Sequence, residues 1–186
     1  INAAPGRMPL LGMYDEGDEE ATDWNIKWMV EHGVDFQWYC WYGLGNPPEP
    51  INDTDSSPAL NGIRRAKYND QIKFAIMFEN AGVPVFDGKT AEERRDLFFN
   101  SILPFWIEHY FKHPSYYKIN GRPVVGVYYF WKIVDLFGSD STVLDEMRSV
   151  CEEAGVGNPI FVQQYTAYDT ADIAQIASWG TDAVYT

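Results

Sequence analysis

At 186 residues with 46% hydrophobic content, the chain has the size of one ordinary domain and can bury a substantial core, so a single domain over residues 1–186 is expected. A formal net charge of −13 and a pI near 4.5 repel phosphate backbones and anionic headgroups, which argues against nucleic acid or a membrane surface as partner. No run of about 18 apolar residues occurs, so no segment is expected to insert into a bilayer.

The apolar run at residues 8–14 (MPLLGMY) reads as a first strand, and an acidic loop at residues 15–20 follows it. Residues 21–32 form a helix with Trp24, Trp28 and Met29 on one stripe, stopped by Gly33. Residues 34–42 (VDFQWYCWY) are rich in aromatics and bounded by glycines, which makes them a second strand. A Pro-rich loop at residues 45–58 is long enough to wall a cleft, and Ser57-Pro58 then opens a weak helix through about Tyr68. Residues 71–78 (QIKFAIMF) are a third strand. Thr90 and Glu93 form a capping box for a helix that buries Leu97, Phe98, Ile102, Phe105 and Trp106, and Pro104 should kink or divide it. Asn120-Gly121-Arg122-Pro123 is turn chemistry before a fourth strand at residues 124–130 (VVGVYYF). A helix with Val143, Leu144, Met147, Val150 and Cys151 on one face ends near Gly155, and residues 159–165 (PIFVQQY) form a fifth strand. Asp169 or Thr170 caps a last helix with Ile173, Ile176 and Ala177 inward, before a sixth strand at residues 181–185.

Strict alternation of strand and helix predicts an α/β fold with a parallel sheet, because parallel strands need crossover connections. A doubly wound sheet and a (β/α)8 TIM-type barrel both fit. The barrel is favoured, since no Gly-rich phosphate loop follows the first strand and several strands end in polar or aromatic residues. Six strands are about six of eight β/α units, and a full barrel takes about 250 residues. A barrel continuing beyond Thr186 is therefore expected, with this chain a C-terminally incomplete portion.

In such a barrel the site lies at the C-terminal ends of the strands. The residues there are Tyr14, Asp15 and Glu16, then Trp41 and Tyr42, then Glu79 and Asn80, then Tyr128, Tyr129 and Trp131, then Gln163, Gln164 and Tyr165, and finally Tyr185. This is a carboxylate, amide and aromatic set, with no metal triad and no call for a cofactor. Aromatics make up 16% of the chain, and Trp and Tyr offer an apolar plate with a polar tip that suits sugars. Glycosidases typically need two carboxyl groups flanking the scissile bond. Glu79 and Asp15 are the candidate catalytic pair; Tyr14, Trp41, Tyr42, Asn80, Tyr128, Tyr129, Gln164 and Tyr165 are the candidate glycan-binding residues. His32, His109 and His113 fall on the opposite, stability side, and no nucleophile elbow supports acyl transfer. Cys40 and Cys151 show no metal spacing and read as buried thiols.

The stretches PLLGMYD, GVDFQWYCWY, IKFAIMFEN and YFKHPSYYKINGRPVVGVYYF together resemble the glycoside hydrolase family 99-like proteins, the endo-α-mannosidases and their WbsX-like relatives. The last stretch is the most specific, joining His113-Pro114, a Tyr pair, a Gly121-Arg122-Pro123 turn and a Tyr-rich strand. The resemblance implies a (β/α)8 barrel, a glycan site lined by Glu79 and Asn80, and hydrolysis assisted by the substrate's own 2-hydroxyl. It also implies acid/base carboxylates on strands after Thr186. Relatives often carry Trp where this chain has Phe78, and a polar or aromatic residue where it has Ala81. A glycoside hydrolase of secreted, periplasmic or cell-surface location is the expectation; the alternative is a non-catalytic carbohydrate-binding or glycosyltransfer-associated protein on the same fold.

Overall fold

A computed structural model of the chain describes residues 9–43, 58–138, 142–164 and 170–185. In chain order it contains α1 (Glu19–Glu31), β1 (Phe36–Trp41), α2 (Pro58–Arg65), β2 (Lys73–Phe78), α3 (Ala91–Leu97), α4 (Leu103–Trp106), β3 (Lys118–Ile119), β4 (Arg122–Val127), α5 (Phe130–Phe137), α6 (Val143–Glu153), β5 (Ile160–Gln164), α7 (Thr170–Ser178) and β6 (Ala183–Tyr185). The main sheet runs β1-β2-β4-β5-β6 with every step parallel, and β3 is a short antiparallel arm on β4.

This α/β architecture with a parallel sheet is the expected one, but its strand count differs. Residues 9–14 form no strand, because Gly12 N–H closes a turn onto Pro9 O at 2.9 Å with Gly12 at φ 74°. Pro and Gly in one short apolar run favour that turn over a ladder. Among the described residues there are therefore five parallel strands rather than six. The fourth strand stops at Val127, and the aromatic run continues as α5, a helix the sequence did not announce. Trp24 and Trp28 share one stripe of α1, with rings 6.1 Å apart, and Met29 packs partly buried against the core; Trp24 itself is exposed, and the fully buried residues of α1 are Ala21, Thr22 and Ile26. The Pro-rich loop, Ser57 and Asp169 lie outside the described residues.

The sheet order never reverses. Trp38 on β1 nonetheless stacks with Tyr185 on β6, rings 6.4 Å apart and 20° from parallel, although these strands end the sheet on opposite sides. The sheet is thus strongly curled. Gly126 at its centre makes this possible, since an added Cβ would stand 3.0 Å from the Trp38 ring and 3.2 Å from Met77. On the outer face, Phe74, Ile76 and Phe78 of β2 pack with Val125, Val127 and Phe161 against one continuous helical rod. The rod contributes Phe98, Ile102, Trp106 and Phe111. Thr90 caps the rod with the expected reciprocal bonds to Glu93. Wide π-type turns at Phe98–Ile102 and Ile107–Phe111 flank the segment holding Pro104, so where a kink or division was expected the rod changes its winding and stays continuous. Proline has no N–H to give to the preceding turn.

The stretch HPSYYKINGRP has a structural explanation. β2 and β4 pair only at Met77–Gly126 and Phe78–Val127, and below that point residues 115–117 slide between them. Phe74 N–H donates to Ser115 O (3.0 Å), Tyr117 N–H to Phe74 O (2.7 Å) and Val124 N–H to Tyr117 O (3.1 Å). The buried Tyr116 hydroxyl completes the wedge, accepting from Ile76 N–H (3.3 Å) and donating to Val124 O (2.8 Å). Asn120 and Gly121, at φ 51° and 79°, make the tight turn that returns the chain into β4.

Candidate functional site

Side chains alternate along a strand, so the register decides which residues share the inner face of the curl. Cys40 stands beside Met77, Met77 beside Gly126, Gly126 beside Val162, and Val162 beside Ala183. Two residues further along each strand lie Tyr42, Glu79, Tyr128, Gln164 and Tyr185. The ladder extends past the strand ends, with Glu79 N–H on Trp41 O and Tyr128 N–H on Phe78 O, both at 3.1 Å. These five residues therefore form one row across the C-terminal edge of the sheet.

The row is electrostatically connected. The Cys40 thiol beside it raises the Tyr42 phenol above its ordinary pKa, helped by a hydrogen bond to that thiol, burial, and the charges of Glu79 and Tyr128. A hydrogen bond with Tyr129 is the main cause that raises the Tyr128 phenol, and Glu79 adds to it. Burial, followed by Cys40 and Tyr128, pushes Tyr185 up to about 12. The three phenols are therefore protonated near neutral pH and can donate hydrogen bonds. Tyr185 already turns its hydroxyl to Met77 Sδ at 3.2 Å. Glu79 is half-buried, and its Oε2 accepts from Gly82 N–H at 3.1 Å, which fixes the carboxylate to the loop after β2.

Several candidates from the sequence sit elsewhere. Trp41 points to the outer face, fully buried edge-on against Trp106 at 5.0 Å, and offers no surface to a ligand. Asn80 is 1% exposed and uses its amide on the backbone of Tyr129. Asp15 follows a turn rather than a strand, and its Oδ1 accepts from Gly17 N–H (2.7 Å) in the loop that leads into α1. Tyr14 lines a hollow of about 520 Å³ beside β1 with Glu16, Trp28, Trp38, Tyr39 and Cys40. That hollow meets the row at Cys40. Tyr129 is partly exposed with its ring 4.5 Å from that of Tyr128. Tyr165 lies outside the described residues.

The sequence reading missed Cys40, which is exposed rather than buried, and Trp38, which plugs the curl beneath the row. It placed Gln163 among the strand-end residues without a role, yet that side chain is buried on the outer face, holding the Tyr128 backbone. Among the described residues no three His, Cys, Asp or Glu side chains converge as a metal site would require. A larger groove of about 620 Å³ runs along α1 between Trp24 and Tyr68. Its aromatic faces already carry the Lys27 and Lys67 ammonium groups, at 5.8 and 5.0 Å, and it lies on the helical flank away from the strand ends.

No protein-family model and no curated protein matches the chain. Solved structures do. The chain is similar to the GH99 endo-α-mannosidase from Bacteroides thetaiotaomicron, with a TM-score of 0.58 and 16% identity over 96% of this chain and 46% of that one. The complex of that enzyme with bis-tris-propane gives a TM-score of 0.61 and 17% identity, over 96% of this chain and 49% of that one. The chain thus spans about half the length of the structures it matches. At this identity the likeness is one of fold: the chain folds as about half of a GH99 endo-α-mannosidase, the family its sequence motifs resemble.

Proposed function

We propose that this chain forms part of a (β/α)8 barrel of the family 99-like kind, that it holds a glycan across the row of strand-end residues, and that the protein hydrolyses that glycan. The observation that carries the reading is the row itself: one carboxylate, three protonated phenols and an amide on the inner edge of a curled parallel sheet. Phenols and amides suit sugar hydroxyls, and ring faces suit the C–H faces of a pyranose. Glu79 is the group proposed to touch the reacting sugar. Tyr42, Tyr128, Tyr129 and Gln164 bind it, Tyr14 extends the surface beside β1, and Tyr165 is kept as a candidate glycan-binding residue. Asp15 remains a candidate only if its loop reaches the row when a glycan is bound.

A second reading, glycan binding without turnover, draws on a specific observation. Glycosidases typically use a facing pair of carboxylates, and the one proposed to face Glu79, that of Asp15, is instead engaged with Gly17 N–H. Incubating the full-length protein with mannose-containing and plant-type glycans, and following both sugar release and binding, separates the two. Hydrolysis is expected, with turnover in Glu79→Gln lower by about 10²-fold or more and binding kept within a few-fold. Binding without release, unchanged in Glu79→Gln, would favour the second reading; neither binding nor release by any glycan would sink both.

A further inference from the structure

Neighbouring strands hold all four backbone groups of Tyr128 and Tyr129. Tyr128 N–H donates to Phe78 O, and Tyr128 O accepts from Gln163 Nε2, both at 3.1 Å. Tyr129 N–H donates to Asn80 Oδ1 at 2.8 Å, and Tyr129 O accepts from Asn80 Nδ2. Asn80, just past the end of β2, and Gln163, on β5, are 1% and 2% exposed and reach Tyr128 and Tyr129 from either side of β4. The Asn80 amide copies both halves of a peptide group. It carries the ladder onward where the main chain after β2 has turned away.

Gln163 is informative because it is imperfectly satisfied. Its Oε1 is buried with no hydrogen-bond partner among the described residues, while its Nε2 donates to both Tyr128 O and Gln164 O (2.6 Å). An apolar side chain of similar volume would avoid the stranded carbonyl. What Gln163 contributes is therefore its two donations, both to the backbone of strand-end residues. The rings held in this way stand 4.5 Å apart at 69°, with Tyr129 partly exposed and Tyr128 within electrostatic reach of Glu79.

We infer that Asn80 and Gln163 are positioning residues that fix the Tyr128–Tyr129 ring pair, before any ligand arrives, as a platform for a pyranose ring of a neutral glycan. The inference rests on the glycan reading of the Glu79 row. Neither amide touches the sugar. Both fix the backbone from which the two rings project, so less conformational freedom is lost on binding.

The test uses the full-length protein with Asn80→Leu, Gln163→Met and Tyr129→Ala, probed with an α-linked manno-oligosaccharide at a temperature where each variant is folded. Without glycan, the Tyr129 amide in Asn80→Leu should exchange hydrogen about ten-fold faster or more, a change of 1.4 kcal/mol. With glycan, Asn80→Leu and Gln163→Met should each weaken affinity about ten-fold, and combining either with Tyr129→Ala should add little, as residues acting through one another are non-additive. A purely structural role would lower the melting temperature and leave the affinity of folded protein, and the additivity, untouched. Unchanged affinity in a variant whose Tyr129 amide has lost protection overturns the inference, as does wild-type protection in Asn80→Leu. Failure of wild type to bind this probe or any glycan of the panel overturns the glycan reading, and the ligand-free exchange still decides whether the amides fix the backbone. If Asn80→Leu does not fold, Gln163→Met carries the affinity and additivity measurements, with exchange followed at Tyr129 N–H, which belongs to the same peptide group as the Tyr128 O that Gln163 holds.

Discussion

His113 shows how a residue outside the site can be read from its hydrogen bonds. Its Nδ1 accepts from Ser115 N–H (3.1 Å), so Nε2 carries the proton and faces Arg64 O at 3.3 Å. That is the neutral ring, and burial, followed by the Arg64 and Lys73 charges, lowers its pKa below 6.5, while the Arg64 carbonyl opposes the shift. The unfolded chain therefore takes up the proton first as pH falls. Stability from this group is present above about pH 6.5 and lost as pH drops toward the lower folded value. Urea midpoints at about pH 7.5 and 5.5 should fall more steeply for wild type than for His113→Gln; equal slopes would remove His113 from the acid response. Residue identity alone foretold neither this nor the fates of Trp41 and Asn80. The run FQWYCW is aromatic on both faces, so no polar alternation marks Trp38 as inner and Trp41 as outer. An amide after a strand looks like a ligand donor until its partner, Tyr129 on a distant segment, is in place.

At the scale of elements, the sheet depends on two local devices. Tyr116→Phe removes the hydroxyl shared by Ile76 N–H and Val124 O, leaving two buried backbone groups without it. The expected loss is about 1–3 kcal/mol in equilibrium denaturation. Gly126→Ala pushes a methyl group toward Trp38 and Met77, and about 1–3 kcal/mol of destabilisation is expected from overpacking. Cold-sensitive or wild-type-like stability in either would mean that the strands repack around the change. β2, β5 and the helices capped by Thr90 or faced by Leu144 and Met147 were legible because each has its own period or cap. The strand expected at residues 8–14 was not, since Pro9 and Gly12 settle that segment locally as a turn. Helix α5 was hidden because FWKIVDLF continues an aromatic strand without a break residue, and its first turn is set by the tertiary grip on Tyr129.

For the whole molecule, the alternation of strands and helices was enough to foresee a parallel sheet, whereas the row at its edge needed the register to assemble. The contact that closes the curl has a kinetic meaning. Trp38 is on the first strand and Tyr185 on the last, far apart in sequence, so their stack is among the contacts with the longest loop to close. Non-local contacts of this kind form only after intervening chain has been ordered. In a stopped-flow refolding experiment the last phase should therefore carry the fluorescence change of Trp38, and Trp38→Phe should silence that phase while leaving earlier ones visible. The stack is then a clock as well as a plug: its formation marks the moment when the two margins of the sheet, and with them Tyr42 and Tyr185 of the strand-end row, first come within reach of a common ligand.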